Sequence, residues 1–240
     1  MLPAKVIKTI LLSKLRGSLS PTLICIFMVI NTSTGISQQW MKLTPQFSTG
    51  DTSFYNAEGV FVTKDVGWFV GSAYNEIGEK RGKLFRTSDG GNTWQLRKDI
   101  QGVFTMLFGL DEWSCWVRNL DRIYFTTDGG YVWDSSRVDI GFVDAGSDPL
   151  YFFNEREGFA FGSRLFLTTD CGKNWMIQNE KDSLLTRSTG DVAFTSRTRG
   201  WIIGDFPYST DAGFIAATTD GGENWQFQFS PLGTYPLSGY

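Results

Sequence analysis

Histidine is missing from all 240 residues of the chain. Its absence excludes imidazole general bases, Ser-His-Asp and Cys-His nucleophiles, and histidine-held metals. Cysteine is nearly as scarce, at three, and Cys25 falls in an N-terminal apolar stretch, leaving Cys115 and Cys171. These two occupy non-equivalent positions of different repeats, so no disulfide is expected between them. Long apolar runs are lacking too. Leu23 to Ile30 has eight residues, well short of the roughly 20 that span a bilayer. Positive charge is also in deficit. Lys5, Lys8, Lys14 and Arg16 lie within the first 37 residues, which hold no acid; the rest sets 18 basic residues against 25 acidic ones, a net −7. That balance argues against nucleic acid as a partner.

Glycine, at 27 residues, and aromatics, at 15%, are plentiful, which suits short strands and frequent turns. Above all, the chain repeats one phrase four times. Thr-x-Asp-x-Gly-x-x-Trp occurs as Thr87, Asp89, Gly91, Trp94; as Thr126, Asp128, Gly130, Trp133; as Thr168, Asp170, Gly172, Trp175; and as Thr218, Asp220, Gly222, Trp225. The Asp-to-Asp intervals are 39, 42 and 50 residues, a period that marks a repeat architecture. An apolar strand leads into each copy, as in Ile123-Tyr124-Phe125. The Asp carboxylate is suited to accept backbone N–H groups further on and so close a tight turn. The Gly permits the positive φ that such a turn needs. The Trp opens the return strand, and its ring is expected to bury against the neighbouring unit.

A second pattern precedes each phrase. Gly67-Trp68-Phe69-Val70-Gly71 aligns with Ser114-Cys115-Trp116-Val117-Arg118, Gly158-Phe159-Ala160-Phe161-Gly162 and Gly200-Trp201-Ile202-Ile203-Gly204. Strand, strand, strand, turn, strand gives four antiparallel strands per unit, the recipe of a propeller blade. The fold class is therefore all-β, with blades at about 54–97, 101–137, 149–178 and 190–229. Long connections are expected at Ala73–Lys83 and Asp205–Gly213, where loops on a rigid frame commonly carry function. Ser230 to Tyr240 reads as the start of a further blade, so the propeller is expected to be incomplete at its C-terminal side, with an apolar sheet face open at each end. Trp40 to Leu43 reads as an outer strand waiting for a partner from the far end of the chain.

Residues 1–37 read as a secretory signal: a basic stretch, the apolar run, then small residues that allow cleavage after Ser37. The mature propeller would span 38–240, secreted or periplasmic, with no membrane insertion once the leader is removed.

The four phrases match the Asp-box (BNR) repeat of sialidases, sortilin-type receptors and related β-propellers. Together with Gly-Trp-x-x-Gly, the chain most resembles the photosystem II stability/assembly factor-like family over about residues 40–235. That resemblance implies a non-catalytic scaffold that grips a protein partner. The other readings are a fragment of a glycoside hydrolase of sialidase or xyloglucanase type, and a sortilin-like receptor ectodomain.

No catalytic residue, metal ligand or cofactor is assigned. Asp89, Asp128, Asp170 and Asp220 recur once per blade and are read as structural. Arg86, in Phe85-Arg86-Thr87, echoes a sialidase arginine motif but lacks the Ile-Pro that should follow. Asp139, Asp144 and Asp148, and the cluster Asp205 to Asp211, are read as solvated loop acids; the latter lacks the spacing and central Gly of a calcium loop. Carbohydrate remains a ligand class that exposed tryptophans would serve.

Overall fold

The computed structural model describes residues 46–49, 54–75, 77–138, 149–162, 164–179, 188–205 and 213–229, together with three short strands before them. It is all-β, built of four-stranded antiparallel blades of the β-propeller type. Two compact units divide the chain: Met1–Asn119 with Phe125–Trp133, and Leu120–Tyr124 with Asp134–Tyr240.

The first unit opens with β1 (Lys8–Thr9), β2 (Cys25–Phe27), β3 (Met41–Leu43) and β4 (Gln46–Phe47). Blade one follows as β5 (Tyr55–Phe61), β6 (Gly67–Tyr74), β7 (Lys80–Thr87) and β8 (Thr93–Gln101), an antiparallel meander. β1 pairs antiparallel on the β5 edge and β4 pairs parallel on the β8 edge. β3 pairs with β2, so the strand expected to await a far-end partner is matched to Cys25–Phe27. β9 (Met106–Gly109) and β10 (Cys115–Arg118) pair antiparallel; with β11 (Arg122–Thr126) and with β12 (Asp134–Arg137), which is counted in the second unit, they make blade two in the order β12-β11-β10-β9.

In the second unit, blade three is β13 (Leu150–Phe152), β14 (Gly158–Phe161), β15 (Leu165–Thr168) and β16 (Met176–Asn179). Blade four is β17 (Ser188–Phe194), β18 (Gly200–Asp205), β19 (Gly213–Thr218) and β20 (Gln226–Phe229). A register shift recurs at one repeat position in three blades, at Leu84/Phe85, Leu165/Phe166 and Ile215/Ala216. These bulges add local twist to the outer hairpin.

Alternation along the middle strands sends one set of side chains to each sheet face. In blade one, Phe61, Phe69, Phe85 and Trp94 form one core face, and Trp68, Val70 and Leu84 are buried on the other. That second face joins blade two: the Trp68 indole donates to Asp111 O at 3.1 Å, and the Leu107 amide to Glu58 Oε2 at 3.0 Å. In the second unit Phe159, Phe161 and Leu165 of blade three pack with Ile202, Ala216 and Trp225 of blade four.

The open faces turn out unequal. Blade one is covered by the chain itself: Phe47 lies 4.8 Å from Phe85, and Phe54 lies 5.3 Å from Phe69, ring centroid to centroid. On blade four, Ile203 and Ile215 are 48% and 39% exposed, at the repeat positions where Val70 and Leu84 are buried in blade one.

The connection expected as a loop over Ala73–Lys83 is largely strand. β6 and β7 stay paired out to Tyr74↔Lys80, and a short turn at 75–79 joins them. Asn75 closes that turn by accepting the Glu79 amide at 2.7 Å. The loop at 206–212, the acids Asp139, Asp144 and Asp148, and Ser230 to Tyr240 lie outside the described residues, as does most of the leader.

Candidate functional site

The repeated phrase runs from the last residue of a blade's third strand, its Thr, across the turn to the start of the fourth strand, and the four turns share one geometry. The residue after each Asp and the Gly that follows both have positive φ: Gly90 and Gly91 at 72° and 93°, Gly129 and Gly130 at 80° and 86°, Cys171 and Gly172 at 70° and 95°, Gly221 and Gly222 at 76° and 91°. Two consecutive left-handed residues reverse the chain tightly. The sequence pattern marked only the second of them. Cys171 is the one position where a residue with a Cβ takes this conformation among the described residues.

Each Asp is held inside its own turn. Asp89 accepts the Thr93 amide at 2.9 Å and the Thr93 hydroxyl at 2.6 Å. Asp170 accepts the Asn174 amide at 2.9 Å and its side-chain amide at 2.7 Å; Asp220 accepts the same pair from Asn224 at 2.9 and 2.8 Å. Asp128 accepts the Tyr131 and Val132 amides at 2.9 and 3.0 Å. Burial alone would raise all four carboxyls, but these hydrogen bonds outweigh it and hold each below the ordinary aspartate range. They are anions at neutral pH.

The Thr is more than a strand residue. Thr87, Thr126, Thr168 and Thr218 are buried, and each hydroxyl donates to its Asp while accepting the Gly amide, as in Thr126 at 2.8 and 3.0 Å. The residue between Asp and Gly donates its amide to the turn joining the first two strands: Gly90 to Asp65 O, Gly129 to Trp113 O, Cys171 to Arg156 O and Gly221 to Thr198 O, at 2.9 to 3.0 Å. Both turns at that end of a blade are thereby locked together.

The Trp residues differ from one another. Trp94, Trp133 and Trp175 each return the indole N–H to the Gly carbonyl of their own turn at 3.0 Å. Trp94 packs within its own blade, 5.8 Å from Phe69 and 5.9 Å from Phe61. Trp225 meets the expectation of packing on the neighbouring unit, 6.3 Å from Phe161 of blade three. Trp175 also reaches the preceding blade, donating to Ser136 Oγ at 3.0 Å.

Arg86 is half-buried in β7. Its Nε donates to Glu112 O at 3.1 Å, and its guanidinium lies 5.5 and 5.8 Å from the Trp68 and Trp113 rings. No disulfide joins Cys115 and Cys171; burial raises both thiols, Cys115 well above its usual value with Glu58 adding to the effect. Among the described residues no group of three or more acids and cysteines is placed to hold a metal ion.

Sequence reasoning passed over three exposed side chains on the two joined turns of blade two: Trp113 between β9 and β10, and Tyr131 and Val132 between β11 and β12. The signal was present, since the other repeats are polar at those positions.

No family model and no curated protein matches the chain. Solved structures do. YCF48 bound to a D1 peptide aligns at 15% identity over 77% of this chain and 87% of that one, with a TM-score of 0.40. A GH74 enzyme of Niastella koreensis aligns at 13% identity over 70% of this chain, with a TM-score of 0.51, and the match spans 29% of that enzyme's length. A GH93 α-L-arabinofuranosidase of Fusarium graminearum aligns at 11% identity over 76% of this chain and 64% of that one, with a TM-score of 0.38. At 13% identity and a TM-score of 0.51, the likeness to the GH74 enzyme is one of fold alone.

Proposed function

We propose that the chain is a non-catalytic propeller scaffold for protein–protein interaction, secreted or periplasmic, of the Asp-box type and similar to the photosystem II stability/assembly factor-like family. The observation that supports this reading is the internal engagement of the recurring carboxylates. Asp89, Asp128, Asp170 and Asp220 are each hydrogen-bonded within their own turn and held ionised. A carboxylate so held is a poor general acid at neutral pH. Its work is to fasten the frame on which a partner docks. The same frame serves glycoside hydrolases, so function must come from a site rather than from the fold.

The test is chemical cross-linking of the full chain in its native extracytoplasmic fraction, with mass spectrometry of the adducts, run beside assays on a fluorogenic sialoside and on xyloglucan. A specific protein adduct with no turnover of either substrate is expected. Turnover above blank would instead favour the glycoside hydrolase reading.

A further inference from the structure

The two joined turns of blade two depart from those of the other three blades in one direction. Position by position, Trp113 stands where the other repeats have Asp65, Arg156 and Thr198. Tyr131 stands where they have Asn92, Lys173 and Glu223, and Val132 where they have Thr93, Asn174 and Asn224. The siblings at Val132's position give their Asp a second, side-chain hydrogen bond; valine has no donor to give. In exchange for that bond this end of the blade exposes apolar surface: Trp113, Tyr131 and Val132 are 53%, 71% and 70% exposed. Gly129 lies between the two rings, since a Cβ there would stand 3.3 Å from Trp113 and 3.7 Å from Tyr131. Exposed large apolar side chains gathered in one place mark an interaction surface.

Two cations border the patch. The Arg97 guanidinium stacks 4.4 Å from the Tyr131 ring centre, and its Nη2 donates to Gln95 Oε1 at 3.0 Å. Arg86 is wedged between Trp68 and Trp113. Among the described residues neither is in a salt bridge, and Arg97 Nε has no hydrogen-bond partner. Arg97 lies close enough to act on Arg86: burial first and then Arg97 lower the Arg86 pKa, with Tyr131 and Glu112 acting the other way. An anion placed against the pair would relieve that repulsion.

We propose that this rim binds an acidic, apolar segment of a protein partner, its carboxylate against Arg86 and Arg97 and a neighbouring apolar side chain on Trp113, Tyr131 and Val132. The inference rests on the protein-binding reading above. It adds the place and the chemistry of the contact.

The probe is a fluorescein-labelled peptide of alternating glutamate and phenylalanine, titrated against the full chain by fluorescence anisotropy, beside its glutamine counterpart and an oligogalacturonate. The main variant is Tyr131→Asn with Val132→Asn, which restores the polar pair of the other turns and gives Asp128 a new donor, so loss of binding cannot be blamed on a weakened fold. The acidic peptide should bind the wild type, bind this variant and Arg97→Gln at least tenfold more weakly, and lose affinity as salt rises. Equal affinity across the variants, equal binding of the glutamine peptide, or binding of the oligogalacturonate alone would overturn the assignment. A cross-linked partner whose capture is unchanged in the double variant would overturn this surface while leaving the scaffold reading in place.

Discussion

Thr126 Oγ1 lies 2.8 Å from Asp128 Oδ1, and the same contact recurs at 2.8, 2.9 and 2.8 Å in the other three turns. The hydroxyl is buried while the carboxylate is near water, so the two substitutions should differ in cost. Thr126→Val leaves the buried Gly130 amide without its acceptor and should cost about 1–3 kcal/mol. Asp128→Ala frees amides that water can reach and should cost about 1 kcal/mol. Urea denaturation of both variants checks the order.

Cys171 holds φ at 70° where its three siblings are glycine. A left-handed residue with a Cβ costs roughly 1–2 kcal/mol, partly offset by the greater freedom that glycine has in the unfolded chain. Cys171→Gly should therefore stabilise by about 0.5–1 kcal/mol in thermal or urea melts. A neutral or destabilising result would mean that the thiol makes contacts worth more than the strain.

Gly200 faces the ring of Phe194, and a Cβ there would stand 2.5 Å from Phe194 Cδ1. Gly200→Ala should destabilise by about 1–3 kcal/mol through overpacking. Phe194→Leu in the same chain should recover part of the loss. Additive losses in the double-mutant cycle would refute the proposed clash.

Acid should act through the four turn carboxylates. Their pKa values are lower folded than unfolded, so their contribution is complete above the unfolded aspartate value near 3.9 and is lost as pH falls through the depressed folded values. With no histidine in the chain, stability should be nearly flat from about pH 5 to 8. It should drop below about pH 4, and Asp→Asn at any turn should shallow that drop. Urea midpoints across pH 2–8 give the profile.

The repeat and its spacing made the blades legible, because the turn chemistry fixes four equivalent points and the apolar runs around them must then pair. The Thr role was harder to see, since a hydroxyl in a strand gives no periodic signal. Phe47 lies outside the repeat and Phe54 only at its first position, so nothing in the period announced that they cover blade one. The 73–83 segment reads as a loop by its Gly and charges, yet Lys80 to Lys83 continue β7 against β6. At the second turn the repeat was a partial guide. It marked Asp128 and Gly130, which resemble their siblings, and drew attention from Tyr131 and Val132, which do not.

The leader reading has its own test. Mass spectrometry of extracytoplasmic material should find an N-terminus near Gln38. Cleavage there would remove β1 and β2 and leave the edges of β5 and β3 without the partners they have in the intact chain. Intact Met1 on an embedded protein would instead favour an uncleaved anchor.

The central claim is that the four repeated acids are fasteners and that none takes part in chemistry. Its most direct measurement is a parallel one: melting temperature and hydrolysis of a glycoside panel for the wild type and for Asp89→Asn, Asp128→Asn, Asp170→Asn and Asp220→Asn. All four variants should melt lower than the wild type, and no protein in the set should turn over any substrate. Turnover by the wild type that one of these substitutions abolishes at an unchanged melting temperature would contradict the account.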